Sequence, residues 1–242
     1  CGILMENQNS IIIADFHIHT KYSYDSLQSP SSVLKYAKIR GLNTIAITDH
    51  NSIRGGIEAH KINNDPNFNV IIGSEINTEV GDIIGIYLNE DIKSRESTEV
   101  IDEIKTQGGM VILPHPFRGH KLNDELIIQC DVIEVFNSRS TVNENKLSLE
   151  LAQKFKKPFV AGSDAHFSSE IGLSRVIINN LNNSQKIKFP FSQEGIVCTY
   201  TPDYLIYCSQ LIKSFKTGNF KKIPYDLFKV SKSYLNQYRY YR

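Results

Sequence analysis

Short apolar runs recur along the chain, and each stops at a polar or titratable residue before a stretch with helical spacing begins. Ile11–Phe16, Asn43–Thr48, Val70–Glu75, Met110–Leu113, Val132–Phe136, Phe159–Gly162 and Val176–Ile178 read as strands. The intervening helical segments are Pro30–Arg40, Gly56–Ile62, Thr98–Gln107, Asn123–Gln129 and Val142–Phe155. Ser29 before Pro30 reads as an N-cap with proline at the first helical position, and Gly41 closes that helix. Repeated strand-then-helix order predicts parallel strands. Gly81-Asp82, between the short stretches of Thr78–Ile84, predicts a hairpin inserted after the third strand that walls a site. Ile196–Tyr200 reads as one more strand, and Asp203–Phe215 as a helix carrying Leu205, Ile206, Leu211 and Ile212.

At 242 residues the chain can form a single α/β barrel domain. The division expected is a barrel over residues 1–200 and a helical C-terminal extension over 201–242, changing near Thr201-Pro202. A net charge of +1 argues against a protein that works by coating nucleic acid. The basic tail, Lys216, Lys221, Lys222, Lys229, Lys232, Arg239 and Arg242, reads as a solvated helical face, and Tyr234, Tyr238, Tyr240 and Tyr241 as packing residues. Cys1, Cys130, Cys198 and Cys208 have no CxxC spacing, so neither a disulfide framework nor a thiolate zinc site is expected. A cytoplasmic location and no membrane partner follow from that and from the lack of a spanning apolar stretch. Cys1-Gly2 could begin a lipid-anchored chain, but Met5 reads as the natural start.

The strand ends carry the chemistry. Asp15-Phe16-His17-Ile18-His19 places two imidazoles at i and i+2, on one side of a strand. Thr48-Asp49-His50, Gly73-Ser74-Glu75, Leu113-Pro114-His115-Pro116 and Ser163-Asp164-Ala165-His166 close later runs. Seven strands ending this way suggest a barrel whose carboxyl-terminal rim gathers these groups. His17, His19, Glu75 and Asp164 could then converge on one ion, with Glu75 bridging to a second held by His115. His50 and His166, with Asp25, could hold a third. Mixed imidazole and carboxylate ligands suit manganese, iron or zinc.

The ordered blocks DxHxH, TDHN, GSE, PHP and SDxH, over residues 15–166, resemble the polymerase and histidinol phosphatase (PHP) family of metal-dependent phosphoesterases. The resemblance implies a distorted (β/α)7 barrel and a cluster of two or three divalent ions. It supports ligand roles for His17, His19, His50, Glu75, His115, Asp164 and His166. This chain departs from the pattern of some members at two places. Tyr22-Ser23-Tyr24-Asp25 offers a carboxylate where they place a histidine, and Glu134 or Asn137 stands where they supply another.

Hydrolysis of a small phosphate ester by a hydroxide bridging two ions is the expected reaction. His166 or His50 could assist proton transfer, while Asp15 and Asp49 orient neighbouring imidazoles. Arg118 and Arg139 are candidates for binding a non-reacting phosphate, such as that of a nucleoside bisphosphate, with Arg175 and Lys21 behind them. His60 reads as solvated, His120 as a rim residue, and Gly55-Gly56 as a plain helix start. The rivals are a nucleic-acid phosphodiesterase, which would show a basic track to the site, and a non-catalytic scaffold, which would lack ligands.

Overall fold

The protein is described by a computed structural model that covers residues 10–180, 187–190 and 194–240. Cys1, Met5, Tyr241 and Arg242, and the side chains of Tyr238, Arg239 and Tyr240, lie outside the described residues. Strands β1 (Ser10–Ile18), β2 (Thr44–Ile47) and β3 (Asn69–Thr78) pair in parallel. So do β5 (Met110–Leu113), β6 (Val132–Asn137) and β7 (Phe159–Gly162). Between the two sets β4 (Gly81–Ile86) runs antiparallel to both β3 and β5. Past β7 the chain returns to β1: Ala165 bridges Ile18, the His19 amide donates to the Ala165 carbonyl at 2.9 Å, and the sheet closes into a barrel.

The distorted α/β barrel is therefore present, with two differences from the expected strands. The hairpin after the third strand supplies the seventh barrel strand, because β4 inserts between β3 and β5. The stretch expected as a barrel strand, β8 (Arg175–Asn180), instead runs antiparallel along the start of β1 and pairs with the short β9 (Ile196–Val197). Alternation within a run cannot tell which neighbour a strand will take.

Helices α1 (Pro30–Ile39), α2 (Arg54–Ile62), α3 (Ser97–Thr106), α4 (Asp124–Gln129) and α5 (Val142–Lys154) cover the barrel. Ser29 Oγ accepts from the Ser32 amide at 3.1 Å, a cap worth ~1 kcal/mol. Val33, Leu34 and Ala37 of α1 and Ala59 of α2 pack on Ile45, Ile47 and Val70. Val100, Ile101 and Ile104 of α3 do the same against Ile83, Val111 and Leu113. The barrel interior is filled from every wall, by Ala14, Phe16, Ala46, Ile71, Ile84, Ile112, Val132 and Val160 among others. The chain ends in α6 (Asp203–Lys216) and α7 (Ile223–Tyr240), tied together by Ser214 Oγ donating to buried Asp226 at 2.6 Å. Among the described residues no helix is long and apolar enough to cross a membrane.

Candidate metal centre

A bulge aims the first motif. On β1, Ala14 and Phe16 point into the barrel core, so strict alternation would turn His17 and His19 outward. Four residues of β1, from Asp15 to Ile18, instead oppose three of β2, from Ile45 to Ile47. The extra residue switches faces: Ile18 joins Ile45 and Ile47 under the helices, and the two imidazoles turn inward. A second shift, between Glu134 and Phe136 on β6, brings both Glu134 and Asn137 to the same place. His115 (φ 28°) and Asp164 (φ 54°) are in left-handed backbone, a conformation that non-glycine residues hold only when surrounding contacts enforce it.

All the expected ligands come together. His19, Asp25, His50 and His166 form one group whose donor atoms lie within 4.8 Å of one another. His17, His19 and Glu75 form a second, and His17, His115 and Asp164 a third. A fourth, Glu75, Asp82 and His115, brings in Asp82 of β4, which the sequence reading passed over as part of a hairpin turn. Its signal lay in the Gly-Asp pair itself, since an acid one residue into a strand next to the GSE strand faces the same rim.

Distances and partners test whether ions fit. His17 Nε2 and His19 Nε2 lie 3.4 and 3.3 Å from Glu75 Oε2, and His19 Nε2 lies 3.2 Å from Asp164 Oδ1. His50 Nε2 and His166 Nε2 stand 3.3 and 3.2 Å from Asp25 Oδ2. Two donors sharing an ion at about 2.1 Å stand roughly 3.0–3.4 Å apart for octahedral or tetrahedral angles. The spacing is thus that of ligands around a cation. Buried Nε2 of His17 and His19, Nδ1 of His50 and His115, and Oδ1 of Asp25 have no hydrogen-bond partner among the described residues, which would be costly if nothing else engaged them.

The opposite ring nitrogens are fixed. Glu134 Oε1 accepts from His17 Nδ1 at 3.0 Å, while Glu134 Oε2 accepts from the His115 amide at 2.8 Å and from Asn137 Nδ2 at 2.9 Å. Ser23 Oγ donates to Asp49 at 2.9 Å and so must accept from His19 Nδ1 at 3.0 Å. With an ion bound, both HxH rings would keep their proton on Nδ1 and offer Nε2 to the cluster. His166 Nδ1 lies 2.7 Å from the Asp164 carbonyl. Asp15 and Asp49, expected to orient imidazoles, bind mainly backbone and hydroxyl groups. Asp15 accepts from the Ser163, Gly172 and His17 amides, and Asp49 from Thr20 and Ser23. Asp49 thus reaches His19 only through Ser23, and the carboxylate that orients His17 is Glu134.

Burial disfavours charge on His17, but the Asp164, Glu75 and Glu134 carboxylates outweigh it and hold its pKa well above the ordinary value. His19 is pushed up to about 10 against the same burial by Asp164 and Glu75. Burial favours neutral Glu75 and Asp164, yet neighbouring imidazoles, and Arg118 for Asp164, hold both well below the carboxylate range. His166 is lowered by burial and then by Arg139. A site that retains protons this strongly among carboxylates is one that attracts cations.

The expected phosphate-binding arginines have different surroundings. Arg118 Nη2 donates to Asp164 Oδ2 at 2.5 Å and Nη1 to Asn137 Oδ1 at 3.2 Å, and its side chain is about a third exposed, at 34 %. Arg139 is buried, with Nε donating to Glu170, Nη2 to the Leu205 carbonyl, and Nη1 2.9 Å from His166 Nδ1. Glu170, missed in the sequence, also accepts from the His166 and Phe167 amides. Lys21 pairs with Glu58, and Arg175 donates to the Gly172 carbonyl. His120 packs edge-on to His115, and its Nε2 donates to the Asp82 carbonyl at 2.8 Å. Gly55, the second residue of α2, lies hard against Asp49, where a Cβ would approach Asp49 Oδ2 to 1.9 Å. The cleft above the cluster has a volume of about 190 Å³.

The chain belongs to the PHP domain family, whose model matches residues 15–185. It is 44% identical over 161 residues to uncharacterized protein MJ1587 of Methanocaldococcus jannaschii, covering 58% of this chain and 94% of that one. Among solved structures, a two-domain protein from Bacteroides vulgatus containing a predicted PHP-like metal-dependent phosphoesterase shares the fold at a TM-score of 0.59 and 20% identity. That match covers 70% of this chain and 58% of the other. A 95-residue stretch is 35% identical to the PolC-type DNA polymerase III of Lactococcus lactis, covering 39% of this chain but 6% of the polymerase.

Proposed function

We propose that the protein is a metal-dependent hydrolase of small phosphate esters whose ions are held by His17, His19, Asp25, His50, Glu75, His115, Asp164 and His166. The observation that carries this reading is the buried set of imidazole and carboxylate atoms spaced like ligands of shared cations, with ring nitrogens left without hydrogen bonds. Two or three divalent ions of manganese, iron or zinc would neutralise phosphoryl charge and acidify water near neutral pH.

The chain's own groups do the rest. Glu134 and Ser23 lock the His17 and His19 tautomers. Asp15 ties the Ser163-Asp164 turn to β1. His50 and His166 both line the cleft, and either would move a proton to the leaving oxygen if it were not fully committed to an ion. Arg118, with exposed surface at the same cleft, meets the phosphate. The cleft is smaller than the 300–1,000 Å³ typical of drug-sized ligands, which favours a phosphate on a short carbon skeleton.

His17→Ala and Glu75→Ala should each abolish hydrolysis of alkyl phosphates and lower metal content by elemental mass spectrometry, with the circular dichroism of the barrel retained. Full activity in either variant would sink the assignment. The stretch similar to the polymerase favours a second reading, nucleic-acid phosphodiester cleavage. Turnover of single-stranded DNA with alkyl phosphates untouched would establish it. A scaffold that had lost turnover would lack ligands, and here the expected set is complete.

A further inference from the structure

The family match ends before α6, yet α6 forms one wall of the cleft. Ile206, Gln210 and Lys213 line it together with Tyr24, Asp25, His50 and Arg118. Their spacing, i, i+4 and i+7, is that of a single helix face. The helix is held over the rim at both ends. Arg139 Nη2 donates to the Leu205 carbonyl at 3.2 Å. Lys216 Nζ donates to the carbonyls of Lys21 at 2.8 Å, Ser26 at 3.2 Å and Ser23, all in the loop that carries Asp25.

Lys213 differs from both of these anchors. Its ammonium lies 4.4 Å from the centre of the Tyr24 ring, and among the described residues no carboxylate lies within ion-pairing distance of it. Tyr24 in turn stacks on the candidate ligand His50, with ring centres 4.2 Å apart and planes 4° from parallel. One aromatic layer therefore separates a half-buried, uncommitted cation from the metal cluster. Three N–H donors face a cleft in which Arg139 is held by Glu170 and the Leu205 carbonyl and Arg118 is shared with Asp164 and Asn137.

We propose that Lys213 is a specificity-determining residue that binds a second anionic group, phosphate or carboxylate, on a substrate whose reacting phosphate sits at the metal cluster. Gln210, one turn before it on the same face, donates alongside. The inference rests on the phosphoesterase reading above, and gives the C-terminal helix a role in choosing substrates. It favours doubly anionic substrates with a short spacer over simple monophosphates.

The test uses metal-loaded, full-length protein and three probes: a propyl chain bearing one phosphate and ending in a methyl group, a carboxylate or a second phosphate. Binding is measured by calorimetry and turnover by phosphate release. A charge-assisted contact predicts that an anionic terminus tightens binding about tenfold to a hundredfold. Lys213→Ala should erase that difference and raise KM more than it lowers kcat, and Lys213→Arg should restore it. Metal content should match the wild type in both variants. Equal binding of all three probes, or a preference that survives Lys213→Ala, would overturn the proposal. A preference that depends on Lys213 without any turnover would leave it standing and refute the hydrolase reading alone. The carboxylate and phosphate arms show which anion is preferred.

Discussion

Glu134→Gln isolates the carboxylate that sets the His17 tautomer, with almost no change in shape. Glu134 Oε1 faces His17 Nδ1 at 3.0 Å, and Oε2 receives two donors, the His115 amide at 2.8 Å and Asn137 Nδ2 at 2.9 Å. A glutamine must turn its NH2 toward one side. Toward Oε2 it meets two donors, leaving buried groups unpaired at a cost of about 1–3 kcal/mol. Toward His17 it donates to Nδ1, which forces the ring proton onto Nε2, the nitrogen facing Glu75 and Asp164. Either outcome weakens the cluster. Loss of such a supporting hydrogen bond costs about tenfold to a hundredfold in metal affinity, or about 1.4–2.7 kcal/mol. Competitive titration against a chromogenic chelator should show that loss at one ion while the circular dichroism stays that of the parent. Unchanged affinity with full activity would refute the claim that Glu134 directs His17 Nε2 to a metal.

Two further perturbations address packing and pH. In Gly162→Ala the new methyl would stand 2.3 Å from Glu134 Oε1 and 2.5 Å from His17 Cβ, so the pair must shift. A loss of about 1–3 kcal/mol in urea denaturation, with reduced metal content, is expected. Burial in the layer under α3 and α4 pushes the Cys130 thiol up to about 12 from 9.0. The folded state therefore keeps a proton that the unfolded chain releases above pH 9, so this contribution is whole below pH 9 and is lost as pH rises toward 12. The integrated effect is on the order of 4 kcal/mol. Melting scans from pH 8 to 11 should show a steeper decline in wild type than in Cys130→Ala, and parallel curves would contradict it.

Much of the site was legible because metal chemistry leaves few choices of residue. Histidines and carboxylates at the ends of apolar runs mark a rim in any α/β barrel, and all eight expected ligands do meet at the rim. Helices were equally legible, since Ser29-Pro30 and the apolar spacing of α1 are local properties. Which side a strand turns was another matter. The alternation of β1 puts Ala14 and Phe16 in the core, and only the bulge against β2 turns His17 and His19 inward. That bulge depends on how two distant segments register.

The chain by itself determined the kinds of ligand, their order and the barrel they close, because these follow from residue chemistry and short-range periodicity. Tertiary structure alone decided that β4 joins the barrel wall, that β8 leaves it, that Glu134 rather than Asp15 holds the His17 ring, and that α6 brings Lys213 to the cleft. Each of those rests on contacts between residues far apart in sequence. Their partners are fixed by packing of the whole molecule, which no local pattern encodes.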